Sequence, residues 1–135
     1  MKIDLTGKTA LVTGGNSGIG RAISLALAES GADVALTHFS TSSDGETARA
    51  IQTLGRRACS LYMDGTDSTS VSDAIARAAD ELGGHIDILV CNAGHLIERV
   101  SIAEMDDEHW HKVMNVNLSS AFYCARSILP YMNTG

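Results

Sequence analysis

Short apolar runs alternate along this chain with longer stretches whose apolar residues recur every three or four positions. Thr9-Ala10-Leu11-Val12-Thr13 is a compact apolar run closed by glycines, the pattern of a strand buried on both faces. From Gly18 to Ser30 the period changes: Ile19, Ala22, Ile23, Ala26 and Leu27 share helical spacing, and Gly31 supplies a stop. Asp33-Val34-Ala35-Leu36-Thr37-His38 reads as a second strand. Ser43-Asp44-Gly45-Glu46 fits a capping box opening a helix that carries Ala48, Ile51 and Leu54 on one face and ends near Gly55. Ala58 to Met63 is a third strand leading to Asp64. A helix from about Ser68 follows, with Val71, Ile75, Ala78 and Leu82 on one side and Gly83-Gly84 at its end. Ile86-Asp87-Ile88-Leu89-Val90-Cys91 is a fourth strand, ending in Asn92-Ala93-Gly94. The last element reads as one long helix from about Asp106 to Met132, with a stripe of Trp110, Met114, Asn117, Ala121, Ala125 and Ile128.

The order βαβαβαβα predicts an α/β fold: a Rossmann-like, doubly wound parallel sheet with helices on both faces and strand order 3-2-1-4. Ligands of such sheets bind beyond the carboxyl ends of the strands. The 135 residues suffice for one core, and no linker or repeat divides them, so residues 1–135 are read as a single domain.

Composition narrows the function. A net charge of −6 offers no basic surface for nucleic acid. No apolar run reaches membrane-spanning length, and Asp4 and Lys8 interrupt any leader-like stretch, so a cytoplasmic protein is expected. Cys59, Cys91 and Cys124 lie far apart in sequence and form neither a disulfide framework nor a metal-ligand spacing. His109 and His111 are two residues apart and share no helix face, so no metal site is expected and solvent-facing histidines are the ordinary reading. His95 follows Asn92-Ala93-Gly94 and is a candidate for lining a cleft. The acidic run from Glu104 to Glu108 matches the positive end of a helix dipole.

The strongest chemical signal lies between the first strand and the first helix: Thr13-Gly14-Gly15-Asn16-Ser17-Gly18-Ile19-Gly20. Glycines there permit a tight turn, close approach of backbone to a pyrophosphate, and close packing of helix on strand. The helix N-terminus then offers unpaired N–H groups to phosphate oxygens.

This turn, together with Asn92-Ala93-Gly94, resembles the short-chain dehydrogenase/reductase family. The resemblance runs from Leu5-Thr6-Gly7-Lys8 to Pro130-Tyr131-Met132. It implies a nicotinamide dinucleotide as partner, held by Gly14, Asn16, Ser17, Gly18, Ile19 and Gly20, by Phe39 and Ser40 after the second strand, by Asp64 at the adenine, and by Asn92, Ala93 and Gly94. The family's NNAG stands here as Cys91-Asn92-Ala93-Gly94, with Cys91 expected to pack as a small buried apolar group. Its usual Val after the adenine-binding Asp is Gly65. Asn115 and Asn117 both compete for the family's active-site Asn. Asn117 lies on the stripe with Met114 and Ala121, expected to point inward, and Asn117-Leu118 matches the family's pair.

The resemblance implies hydride transfer between the cofactor and a carbonyl or alcohol, through a Ser, a Tyr and a Lys four residues after it. The Lys is needed because a phenol of pKa near ~10 is a poor base at neutral pH unless a cation stabilises its anion. No Tyr-x-x-x-Lys occurs: Tyr62 is followed at that spacing by Thr66, Tyr123 by Ser127 and Tyr131 by Gly135. The expectation is therefore the N-terminal, dinucleotide-binding portion of such an enzyme, truncated after the fourth strand and following helix, inactive alone. The alternatives are a non-catalytic truncated or assembly protein, and one chain of a split enzyme. Thr37-His38-Phe39-Ser40-Thr41-Ser42 lacks the carboxylate that reads ribose hydroxyls, which favours NADP over NAD. A fourth strand left at a sheet edge, or the last helix, is expected to drive homo-oligomer formation.

Overall fold

The computed structural model describes residues 3–40 and 45–133. Four strands, β1 (Thr9–Val12), β2 (Asp33–His38), β3 (Ala58–Tyr62) and β4 (Ile88–Val90), form one parallel sheet of order β3-β2-β1-β4. Three helices separate them: α1 (Gly18–Glu29), α2 (Glu46–Thr53) and α3 (Ser68–Glu81). After β4 come α4 (Asp107–Met114), a π-helical turn (Asn115–Ser119), α5 (Ser120–Ile128) and a short 3-10 turn (Leu129–Tyr131). The predicted fold class and strand order are those observed.

The alternation of side chains along each strand builds two cores. Leu11 and Ala35 point to the face covered by α3 and α5, where they meet Val71, Ile75, Ala78, Leu82, Cys124 and Ile128. Ala10, Val12, Val34 and Leu36 point to the other face, against Ala28, Ala48 and Ile51 of α1 and α2. β1 is buried along its whole length, whereas the three residues of β4, with β1 as their one strand neighbour among the described residues, are half-buried.

Several elements differ from expectation in instructive ways. The buried face of α1 is Gly20, Ser24 and Ala28, with Ile23 and Leu27 packed at its flanks. Ala22 and Ala26 are exposed and Ile19 is 75% exposed. Close approach of helix to sheet selects small residues at the contact, so the bulkier apolar residues do not mark its centre. α2 starts at Glu46 with Gly45 as its N-cap; Ser43 and Asp44, the proposed start of a capping box, lie outside the described residues. Leu54 is the C-cap of α2 and is exposed, while Thr47 takes a buried position. The fourth strand pairs only over Ile88–Val90, although Ile86 before it is fully buried.

The long terminal helix is interrupted. The π-helical turn at Asn115–Ser119 shifts the helical phase, so α5 buries Ser120, Cys124 and Ile128 and exposes Ala125; Trp110 of α4 is exposed too. A regular 3.6-residue period carried through the turn selects the wrong stripe.

Candidate functional site

The carboxyl ends of all four strands open onto a cavity of about 700 Å³. The glycine turn forms its floor, and three other elements fix that turn from outside it. Gly15 N–H donates to the Thr37 carbonyl of β2 at 3.1 Å. Thr47 Oγ1 of α2 donates to the Asn16 carbonyl at 3.1 Å. Asn92 Nδ2, just after β4, donates to the carbonyls of Thr13 at 2.9 Å and Gly14 at 3.3 Å.

Thr13 completes the stitching. Its Oγ1 accepts the N–H groups of Asn92 and Ala93, both at 3.0 Å, which locks the segment after β4 against the end of β1. The sequence showed Thr13 as the last residue of a strand and the first of the glycine turn, with no role of its own; a hydroxyl at a strand's carboxyl end beside a glycine turn is the signal that would have given it one. Gly20 is dictated by contact. A Cβ there would sit 2.1 Å from the Gly14 carbonyl oxygen and 2.5 Å from Asn92 Nδ2, so only glycine lets α1 rise from the turn at this distance.

The N-terminus of α1 has no side-chain cap and no acidic residue in its first turn. Its N–H groups and positive dipole end therefore face the cavity without a competing anion, which fits a phosphate group. A Cβ on Gly18, whose φ is +52°, would meet nothing within 4 Å, so the space beside the turn is open.

The remaining sequence-selected residues surround this floor. Gly14, Asn16, Ser17, Gly18, Ile19 and Gly20 line the cavity with Phe39 and Ser40 after β2, Asp64 after β3, and Asn92, Ala93 and Gly94 after β4. Ile19, misplaced as a core residue, stands at the rim. Phe39 stacks on Tyr62 with ring centroids 6.1 Å apart. His38, not selected from sequence, also lines the cavity; its Nδ1 donates to the Ser40 carbonyl at 2.6 Å and so shapes the backbone after β2. Asp64 Oδ1 accepts from Thr66 N at 2.9 Å and Thr66 Oγ1 at 2.7 Å, which fixes the carboxylate at the mouth. Thr41 and Ser42, the end of the hydroxyl-bearing run after β2, lie outside the described residues.

Asn117 sits within the π-helical turn and lines the cavity, whereas Asn115 lines a separate shallow groove with Glu108 and Lys112. Asn117 is exposed rather than buried, because its side chain stands at the open wall of the cavity. Its amide makes a reciprocal pair with the backbone of His95: Nδ2 donates to the carbonyl at 2.8 Å and Oδ1 accepts the N–H at 3.1 Å. Nδ2 also donates to the Val113 carbonyl at 2.9 Å, so one amide ties the widened helical turn to the loop after β4. Gly94 makes room for this: a Cβ there would stand 2.6 Å from Asn117 Oδ1. His95 itself lines the cavity, exposed.

Cys91 departs most from expectation. It is exposed at the cavity wall rather than buried, and Cys124 of α5 lines the same cavity. The influence of the Cys124 thiol brings the Cys91 thiol down to about 7, against the opposing effect of partial burial. Cys124 is pushed up, first by its pairing with the Cys91 thiol, then by burial and by the charge of Cys91. Residues remote in sequence line one cavity here because the first lies at the end of β4 and the second on the buried face of α5.

A parallel sheet with a glycine turn, an uncapped helix N-terminus and polar groups at every strand end places the chain in the doubly wound α/β class, whose ligands bind beyond the carboxyl ends of the strands. The chain belongs to the short-chain dehydrogenase family, whose model matches residues 8–135. It is 36% identical over 132 residues to General stress protein 39 of Bacillus subtilis (strain 168), covering 97% of this chain and 46% of that protein. Among solved structures, a putative short-chain alcohol dehydrogenase from Sinorhizobium meliloti 1021 superposes with a TM-score of 0.88 at 40% identity, over 97% of this chain and 51% of that one. A short chain dehydrogenase from Burkholderia cenocepacia J2315 in complex with NADP gives 0.88 at 36% identity, over 96% and 52%. Carveol dehydrogenase from Mycobacterium avium in complex with NAD gives 0.85 at 25% identity, over 94% and 50%. The chain spans about half the length of the curated relatives it matches. No helix among the described residues is long and apolar enough to cross a membrane.

Proposed function

We propose that this chain is the NAD(P)-binding portion of an oxidoreductase that moves hydride between a nicotinamide and a carbonyl or alcohol. The observation that carries this reading is the meeting of the glycine turn, Asp64, Asn92-Ala93-Gly94 and Asn117 around one cavity. In this reading the α1 N-terminus binds the pyrophosphate, with Gly14 and Gly18 bringing backbone close to it. Asp64 and its Thr66-braced carboxylate orient the adenine. Asn117 is a positioning residue that holds the His95 loop at the nicotinamide end. When bound, the nicotinamide supplies hydride transfer. The proton chemistry of the family requires a Ser and a Tyr–Lys pair that these 135 residues do not contain, so the chain binds without turning over by itself. A complementing chain or a further segment supplies them where activity occurs.

NADP is preferred over NAD in this reading, because His38, Phe39 and Ser40 follow the core of β2 where a ribose-reading carboxylate would stand. The three free thiols suit a reducing, cytoplasmic setting. The protein self-associates through the exposed face of α5 or the edge of β4.

Titration of the purified protein with NADP and NAD, followed by calorimetry, tests the site. NADP binding tighter than NAD is expected, with no turnover of carbonyl or alcohol substrates. Gly20→Ala should weaken binding at least about tenfold, because its Cβ forces the turn apart. Turnover by the isolated chain, or binding untouched by Gly20→Ala, overturns the reading.

A further inference from the structure

Among the described residues that line the cavity there is no lysine or arginine, and Asp64 is the one carboxylate. Two side chains there can take up a positive charge, His38 and His95, and the strand order sets them apart. His38 ends β2, whereas His95 follows β4 on the far side of β1. In such a sheet the group that ends the second strand meets the ribose 2′ position: a carboxylate for a free hydroxyl, a cation for a 2′-phosphate. His38 is neither a fixed carboxylate nor a fixed cation. We propose that His38 reads the ribose 2′ position in both of its charge states, so that protonation of this one ring sets the choice between NADP and NAD. This role rests on the dinucleotide reading above and gives its cofactor preference a mechanism.

The ring is held for the task by one of its nitrogens. Nδ1 stands 2.6 Å from the Ser40 carbonyl oxygen, an atom that can only accept, so Nδ1 carries a hydrogen in either charge state. The change is left to Nε2. In the neutral ring Nε2 is a bare acceptor, suited to the hydrogen of a ribose 2′-hydroxyl. In the charged ring Nε2–H is a donor, and the positive charge attracts a 2′-phosphate. The ring cannot turn over to present Nδ1 without giving up the Ser40 bond. Tyr62, its partner in the β2–β3 register, meets it edge-on with centroids 6.3 Å apart and backs it from β3.

The surrounding charges leave the 2′ position to His38. It alternates with Val34 and Leu36 along β2 and so belongs to the face covered by α1 and α2. There Arg21 of α1 is engaged by Glu46 of α2 at 2.9 Å, Arg49 of α2 lies beside Gly45 at that helix's start, and Glu29 lies at the far end of α1. β1 brings no titratable group. From the β3 side come Tyr62 and Asp64, the latter's carboxylate held by Thr66.

The sign of the pH effect follows. As pH falls and His38 gains its proton, NADP gains a charged donor and NAD loses its acceptor, so the ratio of NADP to NAD affinity rises. By linkage, NADP binding draws a proton onto the protein, whereas NAD binding does not. The 2′-phosphate acts in the opposite sense, because acid removes the dianion that a cation holds best. Its own titration therefore cannot produce the rise.

Calorimetric titration with NADP and with NAD at ~pH 6 and ~pH 8 tests this role. The affinity ratio should favour NADP at least about fivefold more at the lower pH. Titrations in buffers of different ionisation enthalpy should show proton uptake with NADP and none with NAD. His38→Gln, of native circular dichroism, keeps a hydrogen-bonding side chain with no proton to gain; it should flatten the ratio and abolish the uptake. Long-range proton–nitrogen correlation by NMR on the unliganded protein should place the hydrogen of the neutral His38 ring on Nδ1. A hydrogen on Nε2, or a ratio that moves equally in His38→Gln, overturns the proposal. So does a ratio flattened by His95→Gln and not by His38→Gln. Binding of both dinucleotides at a ratio indifferent to pH overturns the role of His38 alone. Failure of both to bind at either pH overturns the dinucleotide reading, and this role with it.

Discussion

At the scale of single residues, this site is governed by contact distance more than by charge. Gly20 and Gly94 are glycines because carbonyl, amide and side-chain oxygen atoms occupy the places their Cβ atoms would take. Cys91 shows the same dependence on a neighbour. Its ordinary reading as a small buried apolar residue failed because nothing in a one-dimensional pattern reports that the end of β4 opens onto the cavity. The lowered thiol of Cys91 has a measurable signature. The rate of iodoacetamide alkylation at Cys91 should rise with pH through a midpoint of about 7, since the thiolate is the reactive form. His38, Asp64 and His95 line the same cavity, so assigning the midpoint to the thiol pair needs a variant. Cys124→Ala removes the lowering influence and should move the midpoint upward, toward that of an ordinary thiol. A profile unchanged by Cys124→Ala would show that other groups around the cavity set the midpoint.

At the scale of elements, the strands and the buried face of α3 were legible, and the faces of α1 and α5 were not. β2 has the bounds its alternation predicts, and the strand order follows from βαβ connectivity. Helix faces were misread wherever the contact is made by small residues, as at Gly20, Ser24 and Ala28, or where a π-helical turn resets the phase, as before Cys124. The cavity residues survived this because motif spacing placed them at strand ends, independent of helix phase. Asp87 illustrates what a pattern cannot show. It precedes β4, yet its Oδ2 accepts both the N–H of Thr9 at 2.9 Å and the Thr9 hydroxyl at 3.2 Å, fastening the edge strand to the start of β1. Burial tends to raise its carboxyl, but the bonds from Thr9 and the charges of Lys8 and His85 outweigh burial and leave it below the usual carboxylate value. A lowered folded-state value means that the stabilisation is present at neutral pH and is lost as pH falls through that value. Asp87→Asn should cost ~1.5–3 kcal/mol in urea unfolding at pH 7 and reduce the loss of stability between neutral and strongly acid pH. Equal stability of variant and wild type at pH 7 would remove Asp87 from the account of how β4 is held.

At the scale of the whole molecule, apolar surface and net charge pull in opposite directions. Leu118 of the π-helical turn, Phe122 of α5 and Leu129 of the 3-10 turn stand exposed, and Trp110 of α4 is exposed as well. Arg126 lies over the Phe122 ring at 4.9 Å, a cation that leaves much of this face uncovered. Exposed apolar area of this kind drives association because its burial removes it from water. Each copy also carries a formal charge of −6, so two copies repel at long range. Salt screens that repulsion over a Debye length of ~8 Å at physiological strength and leaves the apolar term intact. Sedimentation at micromolar concentration should therefore show a dimer or larger species that strengthens as salt rises. Phe122→Asp adds charge to the centre of the α5 face and should return the protein to a monomer if that face is the interface. Association that survives Phe122→Asp assigns the interface to β4, whose half-buried Ile88, Leu89 and Val90 offer backbone groups on their unpartnered side. A well-folded monomer at every salt concentration would sink both interfaces, and would mean that the Arg126 cover and the negative charge together suffice to keep the exposed face in water.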